Sequence, residues 1–256
     1  MDDYSNVSSV ERVAKILDAV SQSQDPVGVT ALSKQIGIPK ATVFRFCNTL
    51  YNLGYLQKNA NDEFSLGLIF ITLGERVKAD TNIAELAKPY MEELARETGE
   101  SINLGVCQEN SVYTLLNVEG ESSVLVSRLV PVCPLYCSAM GKVFLCNRPE
   151  KEVEEYFCQE LPRRTVNTVI TYDKFREMME FYKENGVTQE NEEYEYGLAC
   201  IAAPVFGYEN SLVAAISLSS PKSRLEIRGR DYLTARLKET AEKISRLYTR
   251  LYITKR

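Results

Sequence analysis

Apolar residues recur at two different spacings along this chain, and the change of spacing divides it. Val29, Leu32 and Ile36 line one stripe, and Val43, Cys47, Leu50 and Leu53 line a second, so two amphipathic helices are predicted there. Gly37 breaks the first helix and Pro39 stands where the second begins. Packing the second stripe against the first helix leaves Lys40, Ala41, Thr42, Arg45, Asn48 and Asn52 on the outer side. Residues 55–58 and 63–66 then read as two short strands around a turn at 59–62. Helix, turn, helix and hairpin in that order predict a winged helix-turn-helix.

Beyond the hairpin, residues 68–78 and 83–98 carry a helical period, the second segment ending at Gly99. The spacing then drops to two at Ile102, Leu104 and Val106, and after a turn at 108–110 the stretches 112–118 and 124–129 read as further antiparallel strands. Helices are predicted from Ser138 and over 150–158 and 172–185, strands over 200–206 and 212–219, and a closing helix over 230–252. The fold class expected is therefore α+β, with a winged helix-turn-helix over 1–67, a linker helix over 68–80 and a sheet domain over 81–256. A sheet with flanking helices is able to enclose a small ligand.

Charge sharpens the first part of this picture. The chain carries 30 Lys and Arg against 35 Asp and Glu, a net charge of −5, yet residues 26–61 contain no acid and four basic residues. The acids of the N-terminal part lie at its ends, which keeps the outer face of the second helix clear for a polyanion. On that reading Arg45 reaches base edges while Lys40 and Lys58 hold phosphates of double-stranded DNA. Residues 1–78 are neutral overall, with eight basic and eight acidic residues, so a single domain binds weakly and a dimer on two half-sites is expected. The alternative is a solvated helix pair that serves only packing or oligomerisation.

The chain contains no His, which removes the usual general base and the commonest metal ligand. Its seven Cys are scattered through apolar segments and read mostly as reduced core thiols, with no metal site expected. No glycine-rich phosphate or dinucleotide loop occurs, so no cofactor is expected. No apolar run approaches the roughly 20 residues that span a bilayer, and the first residues lack a signal-peptide pattern, which places the protein in the cytoplasm without a membrane partner.

Four ordered motifs carry a family resemblance: SSVERV at 8–13, GIPKATVFR at 37–45, PLYCSAMGK at 134–142 and GLACIAAPV at 197–205. Together they resemble the IclR family of bacterial transcription regulators over nearly the whole chain. PLYCSAMGKV and the run QENEE at 189–193 are similar to the subgroup responding to 2-keto-3-deoxygluconate. The resemblance implies a winged helix-turn-helix, a helical linker and a GAF-like effector domain, assembled as a dimer or tetramer. It also implies repression of sugar-acid catabolic genes, relieved by a small organic acid.

Matched position by position, the resemblance implies an effector pocket of Leu125, Ala139, Met140, Glu190, Leu198 and Cys200. Ser138 joins them because the small residues 137–141 open a helix whose positive end suits a carboxylate. Tight helix-on-sheet packing explains the same small residues. Glu190 is expected as an ionised acceptor for a ligand hydroxyl, and Glu193 and Glu195 as part of a solvated loop. Ala199 stands where the family usually has Arg, and Phe44 where Tyr or His is usual. The remaining alternative is an enzyme or a small-molecule-binding module whose N-terminal helices serve oligomerisation.

Overall fold

The computed structural model describes residues 7–81, 83–120 and 131–254. The chain divides into two compact units, residues 1–80 and 81–256.

The first unit contains α1 (Ser8–Ser21), α2 (Val29–Ile36), α3 (Lys40–Asn52), the hairpin β1 (Leu56–Lys58) and β2 (Phe64–Leu66), and α4 (Ile69–Thr81). Its core forms where the predicted stripes meet: Leu32 from α2 and Val43, Cys47 and Leu50 from α3 close on Ile16, Leu56 and Phe64. Gly37 ends α2 in the left-handed region at φ 67°, and the Ser33 hydroxyl donates to the Ile38 carbonyl at 2.6 Å, which pins the turn. Leu53, assigned to the second stripe from its spacing, is instead 60% exposed. It is the residue that caps α3, so the helical phase that buries Leu50 stops before reaching it. Val27 and Phe64 exchange backbone hydrogen bonds of 2.8 and 2.9 Å, which joins the hairpin to the segment leading into α2.

The second unit is built on a six-stranded antiparallel sheet in the order β5-β4-β3-β8-β7-β6. Its strands are β3 (Ser101–Gln108), β4 (Ser111–Val118), β5 (Val132–Pro134), β6 (Thr188–Asn191), β7 (Leu198–Phe206) and β8 (Leu212–Pro221). Period-two alternation divides the two faces. Ile102, Leu104, Ile201, Ala203, Ile216 and Leu218 face the helices α5 (Ile83–Thr98) and α10 (Arg230–Thr254). Cys200, Ala202 and Ala215 face α6 (Ala139–Cys146) on the other side, where α7 (Glu150–Phe157) and α8 (Tyr172–Asn185) complete the layer. A short helix α9 (Lys222–Arg228) follows β8, and its Arg224 and Arg228 pair with the fully buried Glu100 ahead of β3. The strand expected over 124–129 lies outside the described residues.

Gly141 shows how closely α6 is set on the chain before it. A Cβ there would run into the Leu135 backbone and come within 2.6 Å of the Ser138 hydroxyl. We therefore expect Gly141→Ala to destabilise the second unit by about 1–3 kcal/mol, read as a lowered thermal midpoint. An unchanged midpoint would show that α6 shifts freely against Leu135.

Candidate functional site

The outer face of α3 is laid out as its period requires. Lys40, Ala41, Arg45 and Asn52 are exposed, and Thr42 and Asn48 are half-buried. Among the described residues neither Lys40 nor Arg45 has a side-chain hydrogen-bond or ion-pair partner, so both charged ends are unengaged. Lys58 differs: its ammonium group lies 2.6 Å from the Asp62 carboxylate across the hairpin turn. Phe44 and Tyr51 are also exposed on α3.

In the second unit a cavity, open at its mouth, lies between the sheet and the start of α6. It interrupts an otherwise apolar sheet face. Ser101 and Asn103 of β3, Asn117 of β4, and Ser217 and Ser219 of β8 put hydroxyls and amides on its floor. The register places Asn103 opposite both Asn117 and Ser217, and these groups bond to one another. Asn117 donates to the Asn103 carbonyl oxygen at 2.7 Å, and the Asn103 amide donates to Ser219 at 3.1 Å. Cys200 lies against the same floor, its Sγ 3.2 Å from the Ser219 hydroxyl, and burial raises its thiol pKa well above the ordinary range.

The run of small residues at 137–141 divides between two roles. Gly141 serves packing, whereas Ser138, Ala139 and Met140 line the cavity. Ser138 caps α6, accepting from the Gly141 amide at 3.1 Å while donating to the Pro134 carbonyl at 2.7 Å. The amides of Ala139 and Met140 belong to a first turn that offers them no intrahelical acceptor.

The acidic run after α8 is not a solvated loop. Thr188–Asn191 is the edge strand β6, and its alternation turns Thr188 and Glu190 inward, toward α6. Thr188 donates to the Ala139 carbonyl at 2.6 Å, while Gln189 and Asn191 on the other side accept from Arg230, each at 2.9 Å. Glu193, expected in solvent, is buried and pairs with Lys142 of α6, which is only 1% exposed. Lys142 also donates to the Gln189 carbonyl at 3.0 Å. The spacing gave no warning, because Lys142 sits in a helix that is apolar on all sides and its charge alone suggests a surface position. Glu192 pairs with Lys222 at 2.6 Å, and Glu195 is exposed as expected.

Glu190 lines the cavity at 1% exposure. Its Oε1 accepts from the backbone amides of Glu193 and Tyr194 at 2.5 and 3.0 Å, and its Oε2 has no hydrogen-bond partner among the described residues. Burial pushes its pKa up to about 7, against the pull of those two amides and of Lys142. Glu190 therefore holds its proton more tightly than an ordinary carboxylate does. Leu198 and Cys200 line the same cavity. Leu125 lies outside the described residues.

A winged helix-turn-helix in one unit and a cavity with a polar floor in the other are the two parts expected of a ligand-responsive, DNA-binding transcription regulator. Residues 9–60 match the IclR helix-turn-helix domain, and residues 76–246 match the bacterial transcriptional regulator IclR C-terminal family. The chain belongs to the IclR family. It is 35% identical over 244 residues to the HTH-type transcriptional regulator KdgR of Escherichia coli K12, covering 94% of this chain and 92% of that protein. To the KdgR of Dickeya chrysanthemi it is 33% identical over 243 residues, covering 94% and 79% respectively. An IclR homolog of Microbacterium hydrocarbonoxydans, solved in complex with 4-hydroxybenzoate, shares the fold with a TM-score of 0.80 at 22% identity, covering 95% of this chain and all of that one. No helix among the described residues is long and apolar enough to cross a membrane.

The raised pKa of Glu190 has a thermodynamic sign. The native state holds this proton more tightly than the unfolded chain does, so stability falls as pH rises from the ordinary 4.5 to about 7 and then levels off. Glu190→Gln removes that loss. Relative to the parent protein, the variant is expected to gain stability between about pH 5 and pH 8, with a ceiling of about 3 kcal/mol set by the shift from 4.5 to about 7. Parallel denaturant curves at both pH values measure the gain, and a difference independent of pH would remove the buried ionisation.

Proposed function

We infer that this regulator represses sugar-acid catabolic genes. It binds operator DNA as a dimer or dimer of dimers and is released by a small hydroxylated keto acid of the 2-keto-3-deoxygluconate type. The observation that carries this reading is the cavity floor. Ser101, Asn103, Asn117, Ser217 and Ser219 offer hydroxyls and amides to a chain of ligand hydroxyls, while the α6 start offers first-turn amides to one carboxylate. In this reading Ser138, Ala139 and Met140 meet the acid, Glu190 meets a hydroxyl, and Leu198 and Cys200 shape the wall. Leu125, included by resemblance, belongs to the same proposed set. The likeness to KdgR proteins supports it. An aromatic acid such as 4-hydroxybenzoate would present one hydroxyl to a floor with five polar side chains and leave the others unanswered.

On the DNA side, α3 enters the major groove with Lys40, Ala41, Thr42, Arg45, Asn48 and Asn52 toward the bases and backbone, and Lys58 follows the phosphates from the wing. Residues 68–80 act as the linker helix between the domain at 1–67 and the effector domain at 81–256. The protein acts in the cytoplasm without a cofactor. To oppose repression tenfold, the effector needs about 1.4 kcal/mol of preference for the arrangement that does not bind DNA.

Arg45→Ala is expected to cost roughly 1–3 kcal/mol on the operator and much less on random duplex, measured by fluorescence anisotropy. Lys40→Ala should instead weaken both duplexes alike and reduce the salt slope by about one, and Lys58→Ala should do so to a lesser extent because its ammonium group already pairs with Asp62. Arg45 effects equal on both duplexes would make it a phosphate contact, and no effect would take α3 out of the interface.

Isothermal calorimetry of the full chain against sugar acids, simple dicarboxylates and aromatic acids tests the effector. The expected order places hydroxylated monoacids first, because the cavity offers one helix start to a single carboxylate and a floor of hydroxyls and amides to the rest of the ligand. A preferred aromatic acid would overturn the sugar-acid reading and leave the family assignment standing.

A further inference from the structure

The cavity sets a charge problem that any carboxylate ligand has to solve. Glu190 stands in its wall nearly free of solvent, with Oε1 engaged by two backbone amides and Oε2 without a hydrogen-bond partner among the described residues. A ligand carboxylate would bring a second negative charge into the same enclosure, and two carboxylates sharing a poorly solvated site cannot both stay ionised cheaply.

The groups facing Glu190 do not relieve this, and Glu119, which lines the same cavity, is a further carboxylate. Lys142 on α6 is already engaged by Glu193 and the Gln189 carbonyl. Arg164 stacks its guanidinium on the Tyr194 ring at 3.9 Å and donates to the Tyr194 carbonyl at 3.2 Å. Arg230 is held on the opposite side of β6 by Gln189 and Asn191. The thiols of Cys133 and Cys200 are held neutral by burial, and Cys200, although it lies against the Glu190 carboxylate, is a weak donor that brings no positive charge to it. The simplest remaining relief is a proton on Oε2, which converts an orphan acceptor into a donor.

We propose that carboxylate binding in this cavity takes up one proton, carried by Glu190 Oε2, so that the effector is sensed together with pH. The balance is plain: anion and one proton enter together, Glu190 becomes a neutral carboxylic acid, and its O–H donates to an oxygen of the ligand. This rests on reading the cavity as a carboxylate-effector site. A group that titrates near neutrality in the free protein is suited to the exchange, since neither form is prohibitive.

Calorimetry of the full chain tests this with 2-keto-3-deoxygluconate, D-galacturonate, pyruvate and 4-hydroxybenzoate as probes, each in two buffers of different ionisation enthalpy. At about pH 8 the heats should report uptake of nearly one proton, falling toward zero at about pH 5.5, and affinity should drop up to tenfold per pH unit above neutrality. Glu190→Gln, an amide in place of the protonated acid, should bind with no proton uptake. Infrared difference spectra of the parent protein should show a protonated-carboxyl band appearing on binding, a readout that does not depend on the variant folding. A sugar acid that binds with no uptake and no band would overturn this inference and leave the sugar-acid reading intact. An aromatic acid that binds best with uptake would do the reverse. Uptake that persists in Glu190→Gln places the proton elsewhere and overturns the assignment, and no binding by any carboxylate overturns both.

Discussion

The second unit depends on the buried pairing of Lys142 with Glu193. Neither charge has bulk water to stabilise it, so each depends on the other and on the surrounding hydrogen bonds. Those bonds tie four segments together. Lys142 comes from α6 and also holds the carbonyl of Gln189 on β6, while the hydroxyl of Thr168 donates to the Glu193 carbonyl at 2.8 Å and that of Thr165 to the Glu192 carbonyl at 2.5 Å. Glu193 sits two residues before the turn that returns the chain to β7, so the pair fixes where the edge strand ends. That in turn aims Glu190, whose carboxylate is clamped by the amides of Glu193 and Tyr194. Breaking such a pair from one side leaves an uncompensated buried charge, a loss on the order of 3–5 kcal/mol.

Much of the architecture was legible because it follows from period alone. The stripes of α2 and α3, the hairpin around residues 59–62 and the alternation through Ile102, Leu104 and Val106 all reappear in the folded chain. The misses share a cause: they concern polar groups whose place is decided by distant partners. Glu193 reads as solvent-facing until Lys142, 51 residues earlier, is brought beside it. Thr188–Asn191 is too short and too polar to announce a strand, and it becomes one because β7 lies alongside to pair with it. Leu53 errs in the other direction, since a periodic pattern continues in sequence past the point where the helix has ended.

The cavity shows the same division. Ser138, Ala139 and Met140 were visible as small residues at a helix start, and Glu190 through family resemblance. The amide and hydroxyl floor was not visible, because Ser101, Asn103, Asn117, Ser217 and Ser219 come from three strands that read separately as ordinary alternation. Only the register turns them into one surface. An apolar sheet face with a polar island is expensive to form unless the polar groups satisfy one another, as Asn103, Asn117 and Ser219 do here.

The pair between Lys58 and Asp62 bears on how such a regulator would find its site. A lysine already matched by a neighbouring carboxylate gives little net attraction at long range, and exchanging that partner for a phosphate returns only the difference between two similar contacts. A wing lysine so matched would add little to the grip on arbitrary duplex, and would leave discrimination between sites to the base contacts of the recognition helix.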